Sequence, residues 1–299
     1  MNFLVLWKHW NIFYRKKPKN MINFGKFFKK HTPSIFKTIT VHLYVRYLYY
    51  FRYKNILAKN KELKNQYKRK RCFLIGNGSS LNQMDLTKLK NEYTFVFNFF
   101  YLHKDFKEIK PKFYSIMEPI ENFPRTDLNA DKVFRGVDEA FKNIDVKMFL
   151  RIDIKEYIKK NKLFLNKDIY YLLADRGILK TLIMSDDISK YHSFADASLY
   201  NAICIAVYLG FNEIYLIGCD YDYILKRNEE HFYDSEIIGQ TYCLKNASNL
   251  FLAEDMCDYL KIMEKIKNHF RNYNVKIFNA GIGGFTDTFP RVNYDDLFR

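Results

Sequence analysis

The sequence predicts an α/β fold in which a doubly wound, mostly parallel sheet follows a basic, aromatic, helical N-terminal extension. Short apolar runs that end in polar or glycine-rich turns recur along the chain, as expected of strands buried on both faces of a parallel sheet. Residues 198–217 join an apolar helix to an apolar strand through Gly210, which is the pattern of a crossover unit. Basic residues are concentrated before residue 71. Together these features predict a Rossmann-like domain with an attached N-terminal segment.

The first predicted strand is the apolar run 72–75, which ends at the turn 76–80, Gly-Asn-Gly-Ser-Ser. Glycine and asparagine tolerate left-handed backbone, and small hydroxyl side chains follow them. A strand, such a turn and a helix together can bring backbone N–H groups close to a phosphate. The turn matches neither the phosphate loop ending in Gly-Lys-Ser/Thr nor the dinucleotide fingerprint, so a strand-ending turn without a ligand is the alternative.

The next elements are a short helix over 81–91, with Asp85 as a possible N-cap, and a second strand over the β-rich run 93–100. Asn98 lies near the end of that strand, where it is either a ligand-binding residue or a turn former. Its position beside a glycine-rich turn makes it a candidate site residue.

A third strand is predicted over 112–117 and closes on Glu118. Because ligands of doubly wound sheets bind at the carboxyl ends of the strands, we expect this strand end and that of 93–100 to lie near the glycine-rich turn. Further along, 146–152 predicts a strand and 157–173 a helix followed by a strand.

The clearest local pattern begins with the apolar helix predicted over 198–209, which starts at a serine and ends before Gly210. The strand 213–217 follows and is almost wholly apolar, as expected in the middle of a parallel sheet. It ends in the acidic turn 218–223, Gly-Cys-Asp-Tyr-Asp-Tyr, at the functional edge of the sheet. The first aspartate of this turn, Asp220, is either a catalytic residue or the cap of a turn.

The polar stretch 224–249 predicts a long loop of the kind that serves as a lid, and it contains His231. An amphipathic helix over 250–273 and a last strand over 275–279 follow. The chain then closes with a glycine-rich and proline-containing segment, 280–298.

The charge of the chain is divided unevenly. Residues 1–71 contain 19 Lys and Arg and one acidic residue, whereas the rest of the chain holds 30 basic and 32 acidic residues. A nucleic-acid-binding domain would carry its basic charge on the folded face. The sequence therefore argues against nucleic acid as a partner and predicts two parts, a basic extension over 1–70 and a catalytic domain over 71–299.

The extension is predicted to lie at a membrane surface. Its segment 35–57 is rich in aromatic residues but interrupted by Lys, Arg and His, so the uncharged runs are too short to span a bilayer. Aromatic and basic side chains together are typical of an interfacial helix on anionic lipid. The alternative is a helix that packs on the domain with a solvated basic face.

The expected location is cytoplasmic, with the protein held peripherally on the inner face of the membrane. The N terminus lacks the apolar core and the cleavage site of a signal peptide. The five cysteines form no pair at metal-ligand spacing and mostly fall in apolar runs, as reduced, buried thiols do.

Five features of the chain, in their order along it, together resemble the MptE-like family. They are the turn 76–80, the strand end at Asn98, the helix beginning at Ser198, the strand 214–220 and the terminal segment. This family is also called domain of unknown function 115, and its fold is similar to that of the family-42 bacterial sialyltransferases. The resemblance covers residues 71–299. It implies a sialyltransferase-like nucleotide-sugar-binding fold, although a shared fold does not fix the chemistry.

The resemblance to the sialyltransferases implies a set of contacts to a CMP-sugar donor. The residues that it assigns to the donor are Gly76, Asn77, Gly78, Ser79, Asn98, Glu118, Ser198 and Tyr223. Tyr223 lies one residue later than the phosphate-binding tyrosine of those enzymes, and Glu118 stands where they have an asparagine. Two larger departures are Ala195, where those enzymes have an arginine, and His231, which lies closer to the Gly-x-Asp strand than their catalytic histidine does.

The first functional hypothesis is a bacterial glycosyltransferase of lipopolysaccharide or capsule biosynthesis. It would move a sialic acid-like nonulosonate or Kdo from CMP to a glycan or glycolipid acceptor. Such transfer needs a base for the acceptor hydroxyl and donors that neutralise the leaving phosphate. His231 is the candidate base because an imidazole titrates near ~6.5, and Asp220 is the second candidate catalytic residue. No cofactor is expected for this reaction.

Two alternatives remain open. One is an MptE-like pyrophosphokinase that moves diphosphate from ATP to a pterin; it would require Mg²⁺, which Asp220, Asp222 and Glu118 could hold. The other is a catalytically inactive nucleotide-binding module of a glycan-assembly complex. Binding of CMP or of ATP with Mg²⁺ would separate the first hypothesis from the pyrophosphokinase.

Overall fold

The computed structural model describes residues 46–117, 129–176, 186–194, 198–222, 231–233 and 248–299. Residues Val45–Arg299 form one compact unit. Residues 46–70 of the predicted extension therefore belong to the same compact unit as the sheet.

The described residues form an eight-stranded sheet in which neighbouring strands all pair in parallel. The strands are β1 Arg71–Ile75, β2 Tyr93–Phe97, β3 Phe113–Ile116, β4 Lys147–Arg151, β5 Asp168–Arg176, β6 Tyr191–Phe194, β7 Glu213–Ile217 and β8 Lys276–Asn279. Their spatial order is β6-β5-β4-β3-β2-β1-β7-β8. Chain order reverses at β1, which lies between β2 and β7. The predicted α/β class is confirmed, and the switch point where such sheets bind ligands falls at the carboxyl ends of these three strands.

Helices cover both faces of the sheet. The α-helices of the described residues are α1 Lys54–Leu57, α2 Phe106–Ile109, α3 Ala130–Phe141, α4 Lys155–Lys160, α5 Ser198–Leu209 and α6 Asn249–Phe270. Shorter 3-10 helices are Ala58–Leu63, Ser79–Gln83, Leu86–Leu89, Phe100–Leu102, Ile152–Ile154 and Asp295–Phe298, and Tyr49–Tyr53 forms a π-helix.

Alternate side chains of each strand enter one of two cores. In β1, Cys72 and Leu74 pack in the core that contains α5 and α6, whereas Phe73 and Ile75 pack in the core that contains α3. Both sets are fully buried. This two-sided burial explains why the strands read as continuous apolar runs in the sequence.

Several predicted elements have the bounds that the sequence indicated. The helix α5 and the strand β7 match their predicted ranges, and α6 begins at the N-cap Ser248, whose side chain accepts a hydrogen bond from the Phe251 N–H. The helix α6 is amphipathic as predicted, and its buried side chains are Leu252, Met256, Tyr259, Met263, Ile266 and Phe270. Apolar periodicity therefore located the elements that pack directly on the sheet.

The stretch 81–91 contains a short helix capped by Asp85 as predicted, but it is not one continuous helix. Two 3-10 helices, Ser79–Gln83 and Leu86–Leu89, occupy this stretch, and the chain between them is extended at Met84 and Asp85. Asp85 does cap the second one, because its side chain accepts a hydrogen bond from the Thr87 N–H. The cap residue has extended backbone and therefore separates the two short helices.

The chain before β1 is fastened to the sheet through a buried polar side chain. Asn60 is fully buried, and its amide donates to the carbonyl oxygens of Tyr171, at 2.8 Å, and Ile188, at 2.7 Å. Leu57 and Leu63 on either side are also fully buried. Residues 57–63 are thus part of the core.

No helix in the described ranges combines the length and the apolar character needed to cross a bilayer.

Candidate functional site

The glycine-rich turn 76–80 leaves the carboxyl end of β1 and stays bound to the chain that follows β7. The N–H groups of Gly76 and Gly78 donate to the carbonyl oxygens of Ile217, at 2.8 Å, and Gly218, at 2.9 Å. The Ser80 N–H is also occupied, since it donates to the Asp220 carboxylate. These three N–H groups point into the protein, and a phosphate at this turn would have to be bound without them.

Two glycines of the turn are required by close packing and not by left-handed backbone. A side chain at Gly76 would overlap the carbonyl group of Gly218, and one at Gly78 would overlap the carboxylate of Asp220. Neither glycine has a positive φ. The left-handed backbone expected of these two glycines is therefore wrong, and the reason for them is that the residues after β7 approach too closely for a Cβ atom.

Asp220 holds the turn in place. It is 8% exposed, and its carboxylate accepts hydrogen bonds from the Ser80 N–H, at 2.9 Å, and from the Ser80 hydroxyl. A charged acceptor of this kind makes strong hydrogen bonds. The geometry gives Asp220 the part of a turn-positioning residue, which is the alternative that the sequence left open.

Asn98 lies at the end of β2 in the left-handed region, with a φ of 54°. This conformation is held from two sides, because the Asn98 N–H donates to the Ser115 carbonyl oxygen at 3.0 Å and the Tyr114 hydroxyl donates to the Asn98 carbonyl oxygen at 2.9 Å. Asparagine tolerates this left-handed backbone, and the two hydrogen bonds fix the residue at the end of β2.

The side chain of Asn98 contacts the start of α5. Its amide donates to the Ser198 hydroxyl oxygen at 3.2 Å, across 100 residues of sequence. The sequence predicted both residues as donor contacts, and the fold brings them together at the carboxyl edge of the sheet. Phe97, the neighbour of Asn98, in turn accepts a hydrogen bond from the Asn77 amide at 3.2 Å, which places the pair beside the turn.

Asn77 has a buried acceptor with no partner among the described residues. The residue is 8% exposed, and its side-chain oxygen makes no hydrogen bond there. Buried polar atoms are almost always satisfied, and leaving one unsatisfied costs about 1–3 kcal/mol. A hydroxyl or amino group of a ligand would satisfy this oxygen.

His231 also lies at the turn. It forms an isolated antiparallel bridge with Gly78, and the N–H of the next residue, Phe232, donates to the Asn77 carbonyl oxygen at 3.1 Å. Its ring stacks on that of Tyr233, with centroids 4.8 Å apart. Burial lowers the pKa of His231 below its usual range, so that the imidazole is neutral at neutral pH. A neutral imidazole at this place can accept a proton.

Two predicted donor residues, Glu118 and Tyr223, lie outside the described residues, as does Ala195. Within the described ranges, no group of three or more His, Cys, Asp or Glu side chains is arranged to hold a metal ion.

The C-terminal segment supports the site, a role that the sequence analysis did not assign. The Phe285 N–H donates to the Asp220 carbonyl oxygen at 2.7 Å, and the Thr286 hydroxyl donates to the Cys219 carbonyl oxygen at 2.9 Å. Gly284 packs against the Asp220 backbone with a φ of 76°, where no Cβ atom would fit. The Gly-Ile-Gly-Gly run was the available signal, because repeated glycines often mark a close backbone approach.

No protein-family model matches the chain, and no curated protein matches it in sequence. Solved structures do match. The MAf glycosyltransferase from Magnetospirillum magneticum is 14% identical, with a TM-score of 0.44, over 82% of this chain and 39% of its own length. The chain thus spans less than half of that protein.

Two structures of sialyltransferases from Campylobacter jejuni match over more of their own length. The sialyltransferase CstII in complex with cytidine-5'-monophosphate is 16% identical, with a TM-score of 0.43, over 75% of this chain and 85% of its own. An apo alpha-2,3-sialyltransferase is 15% identical, with a TM-score of 0.41, over 76% of this chain and 83% of its own length. At these identities and TM-scores the likenesses assign no role to any residue of this chain.

Proposed function

We propose that the protein is a glycosyltransferase that transfers an acidic sugar, of the sialic acid or Kdo kind, from a CMP-activated donor to a cell-surface glycan acceptor. The observation that carries the proposal is the contact between Asn98 and Ser198 beside the turn 76–80. Both residues, and the turn, are those that the sequence resemblance assigns to the donor. The neutral imidazole of His231 at the same turn supports a base in reach of that donor.

In the proposed reaction the acceptor hydroxyl attacks the anomeric carbon of the donor sugar. The new C–O bond forms as the bond to the CMP phosphate breaks, and CMP leaves with the electron pair. His231 takes the proton of the attacking hydroxyl. The Asn98 amide and the Ser198 hydroxyl donate hydrogen bonds to the CMP-sugar. The Asn77 side-chain oxygen, which has no partner among the described residues, accepts one from a hydroxyl of the CMP-sugar.

We expect CMP to raise the unfolding temperature in a panel of CMP, CDP, UDP, GDP and ATP with Mg²⁺. A ligand that binds only the folded protein adds about 2.7 kcal/mol of stability at a hundredfold excess over Kd. The variant Asn98→Gly keeps the left-handed backbone but loses the amide, and it should reduce the CMP shift; Asn65→Gly, at another asparagine with positive φ, is the matched control. The measurement is the thermal shift with each ligand, for the unchanged protein and for both variants.

Other outcomes of the panel favour the other candidate functions. A shift with ATP and Mg²⁺ alone contradicts the glycosyltransferase and favours the pyrophosphokinase. A CMP shift without any transfer or hydrolysis of CMP-sugars favours the inactive module. An equal CMP shift in Asn98→Gly and in the unchanged protein would remove Asn98 from the donor site.

We further propose that the extension over residues 1–70 binds an anionic membrane surface on the cytoplasmic side, through the part that precedes the buried residues 57–63. The described end of this extension supports it: Tyr50 is 54% and Phe51 77% exposed, and both lie between the exposed basic residues Arg46 and Arg52. Exposed aromatic rings flanked by basic side chains suit the headgroup region of anionic lipid. Such binding would bring the site to lipid-linked acceptors.

The membrane proposal predicts flotation with phosphatidylglycerol vesicles, weaker flotation at high salt and none with phosphatidylcholine vesicles. Phe51→Ser should weaken binding several-fold, since it removes a ring from the lipid contact. Leu165→Ser is the matched control, because Leu165 is 76% exposed elsewhere on the domain. If Phe51→Ser and the unchanged protein bind the vesicles equally, Phe51 has no role in membrane binding.

A further inference from the structure

The residues next to His231 are fastened to the segment that follows β2. The ring of Phe232 packs edge-to-face on Phe100, at 5.8 Å between centroids, and on His103, at 4.9 Å. The ring of Tyr233 packs edge-to-face on Phe99, at 5.8 Å. This aromatic cluster therefore links the stretch 231–233 to the residues that come directly after Asn98.

His103 serves this cluster as a neutral aromatic surface. It is 5% exposed and lies parallel to Phe100, with an interplanar angle of 4°. Its Nδ1 accepts a hydrogen bond from the Asp105 N–H at 3.2 Å, so the ring proton is on Nε2, which has no partner among the described residues. Burial lowers the pKa of His103, against an opposing effect of the Asp105 carboxylate. The ring is thus uncharged where it meets Phe232.

The backbone completes the attachment. The Phe232 N–H donates to the Asn77 carbonyl oxygen of the turn 76–80, while the half-buried Phe232 side chain packs against the core that contains α3. One residue thus bridges the turn and the segment after β2. A loop residue with no such anchor would not hold its neighbour within the small tolerance that catalysis requires.

We propose that Phe232 is a positioning residue that fixes His231 at the donor turn, with Phe100 and His103 as the surface that holds its ring. The inference rests on the proposed function, in which His231 is the base. It assigns the segment after β2 two tasks: Asn98 contacts the donor, and Phe100 and His103 place the base. Donor and base are then aligned by the same short stretch of chain.

The test compares Phe232→Ala and Phe232→Leu with the matched control Phe298→Ala. Phe298 is also a half-buried phenylalanine on the same core, but it stacks on Phe73, at 5.8 Å. We expect Phe232→Ala to lower kcat roughly 10- to 100-fold, as small misplacements of catalytic groups do, with the donor KM nearly unchanged. Phe232→Leu keeps part of the packing and should lose less. Phe298→Ala should retain the kcat of the unchanged protein.

A second measurement needs no substrate. Histidine-ring NMR titration, assigned with His231→Gln and His103→Gln, should show the pKa of His231 rising towards its usual value in Phe232→Ala, because water then reaches the ring. In Phe298→Ala this pKa should not change. The two readouts separate the inference from the proposed function, since absence of CMP-dependent transfer in the unchanged protein overturns only the latter.

Two results overturn the inference. One is a His231 pKa that is the same in Phe232→Ala and the unchanged protein. The other is an equal change in Phe298→Ala, which would mean that general loosening of the core, and not the anchor, moves His231. If transfer is observed, an unaltered kcat in Phe232→Ala contradicts it as well.

Discussion

Substitution of His231 by glutamine is expected to lower kcat for sugar transfer by roughly 10²–10⁴-fold while CMP binding is retained, because general base catalysis contributes about that much. Glutamine keeps a polar side chain of similar size but cannot accept the proton of the acceptor hydroxyl. The bridge between His231 and Gly78 involves only the backbone, so the turn should keep its shape. Steady-state transfer assays and CMP thermal shifts measure the two effects separately.

The pH dependence of kcat/KM is a second measurement that tests His231 as the proposed base. Burial lowers the pKa of His231 from its usual value of 6.5, so the neutral, active form persists below that pH. We therefore expect kcat/KM to stay level through neutral pH and to fall only as the pH drops through this lowered pKa. The residual activity of His231→Gln should lack this acid limb.

His269→Gln is the control for the base. His269 lies in the last turn of α6 and contacts Asp186, away from the turn 76–80, so its loss should leave kcat unchanged. Transfer by His231→Gln at the rate of the unchanged protein would exclude His231 as the base. An acid limb at or above the usual histidine pKa would contradict the buried, neutral imidazole.

The location of the site could be predicted from the sequence because it depends on strand ends. Apolar runs located β1, β2 and β7, and in a parallel sheet their carboxyl ends meet at one edge. Asn98, at one of these strand ends, was therefore expected to lie near the turn 76–80, and local sequence was sufficient there because the topology of the fold adds the long-range information. Ser198 was assigned to the same site by the family resemblance, and it is in contact with Asn98.

The reasons for individual residues could not be predicted in the same way. Gly78 and Asp220 are 142 residues apart in sequence, and only the pairing of β1 with β7 shows that the glycine leaves room for the carboxylate. Likewise, Asn60 lies in a run of Lys and Asn that reads as a polar linker, yet its amide is fully buried between two backbone carbonyls. Such contacts depend on distant partners, and no local pattern identifies them.

The close approach of β1 and β7 gives the largest expected effect on stability. We expect Gly76→Ala to lower the free energy of unfolding by about 3 kcal/mol or more, as overpacking against backbone does. The new methyl group would overlap the Gly218 carbonyl, whose carbon would lie 2.7 Å from it. The Gly76 N–H also donates to Ile217 at 2.8 Å, so neither strand can move away without losing a hydrogen bond. Urea unfolding measures the loss.

Gly283→Ala separates this steric effect from backbone strain. Gly283 has a φ of 64°, but no atom lies within 4 Å of where its Cβ would be, so alanine there meets only the left-handed penalty of about 1–2 kcal/mol. Gly76 has no positive φ and would meet only the clash. Gly76→Ala should therefore lose clearly more stability. If the two variants lose the same amount, or Gly76→Ala loses less, then β1 and β7 can separate at their carboxyl ends. In that case the turn 76–80 would not be held rigidly by β7, and its shape would have to be set by a bound ligand.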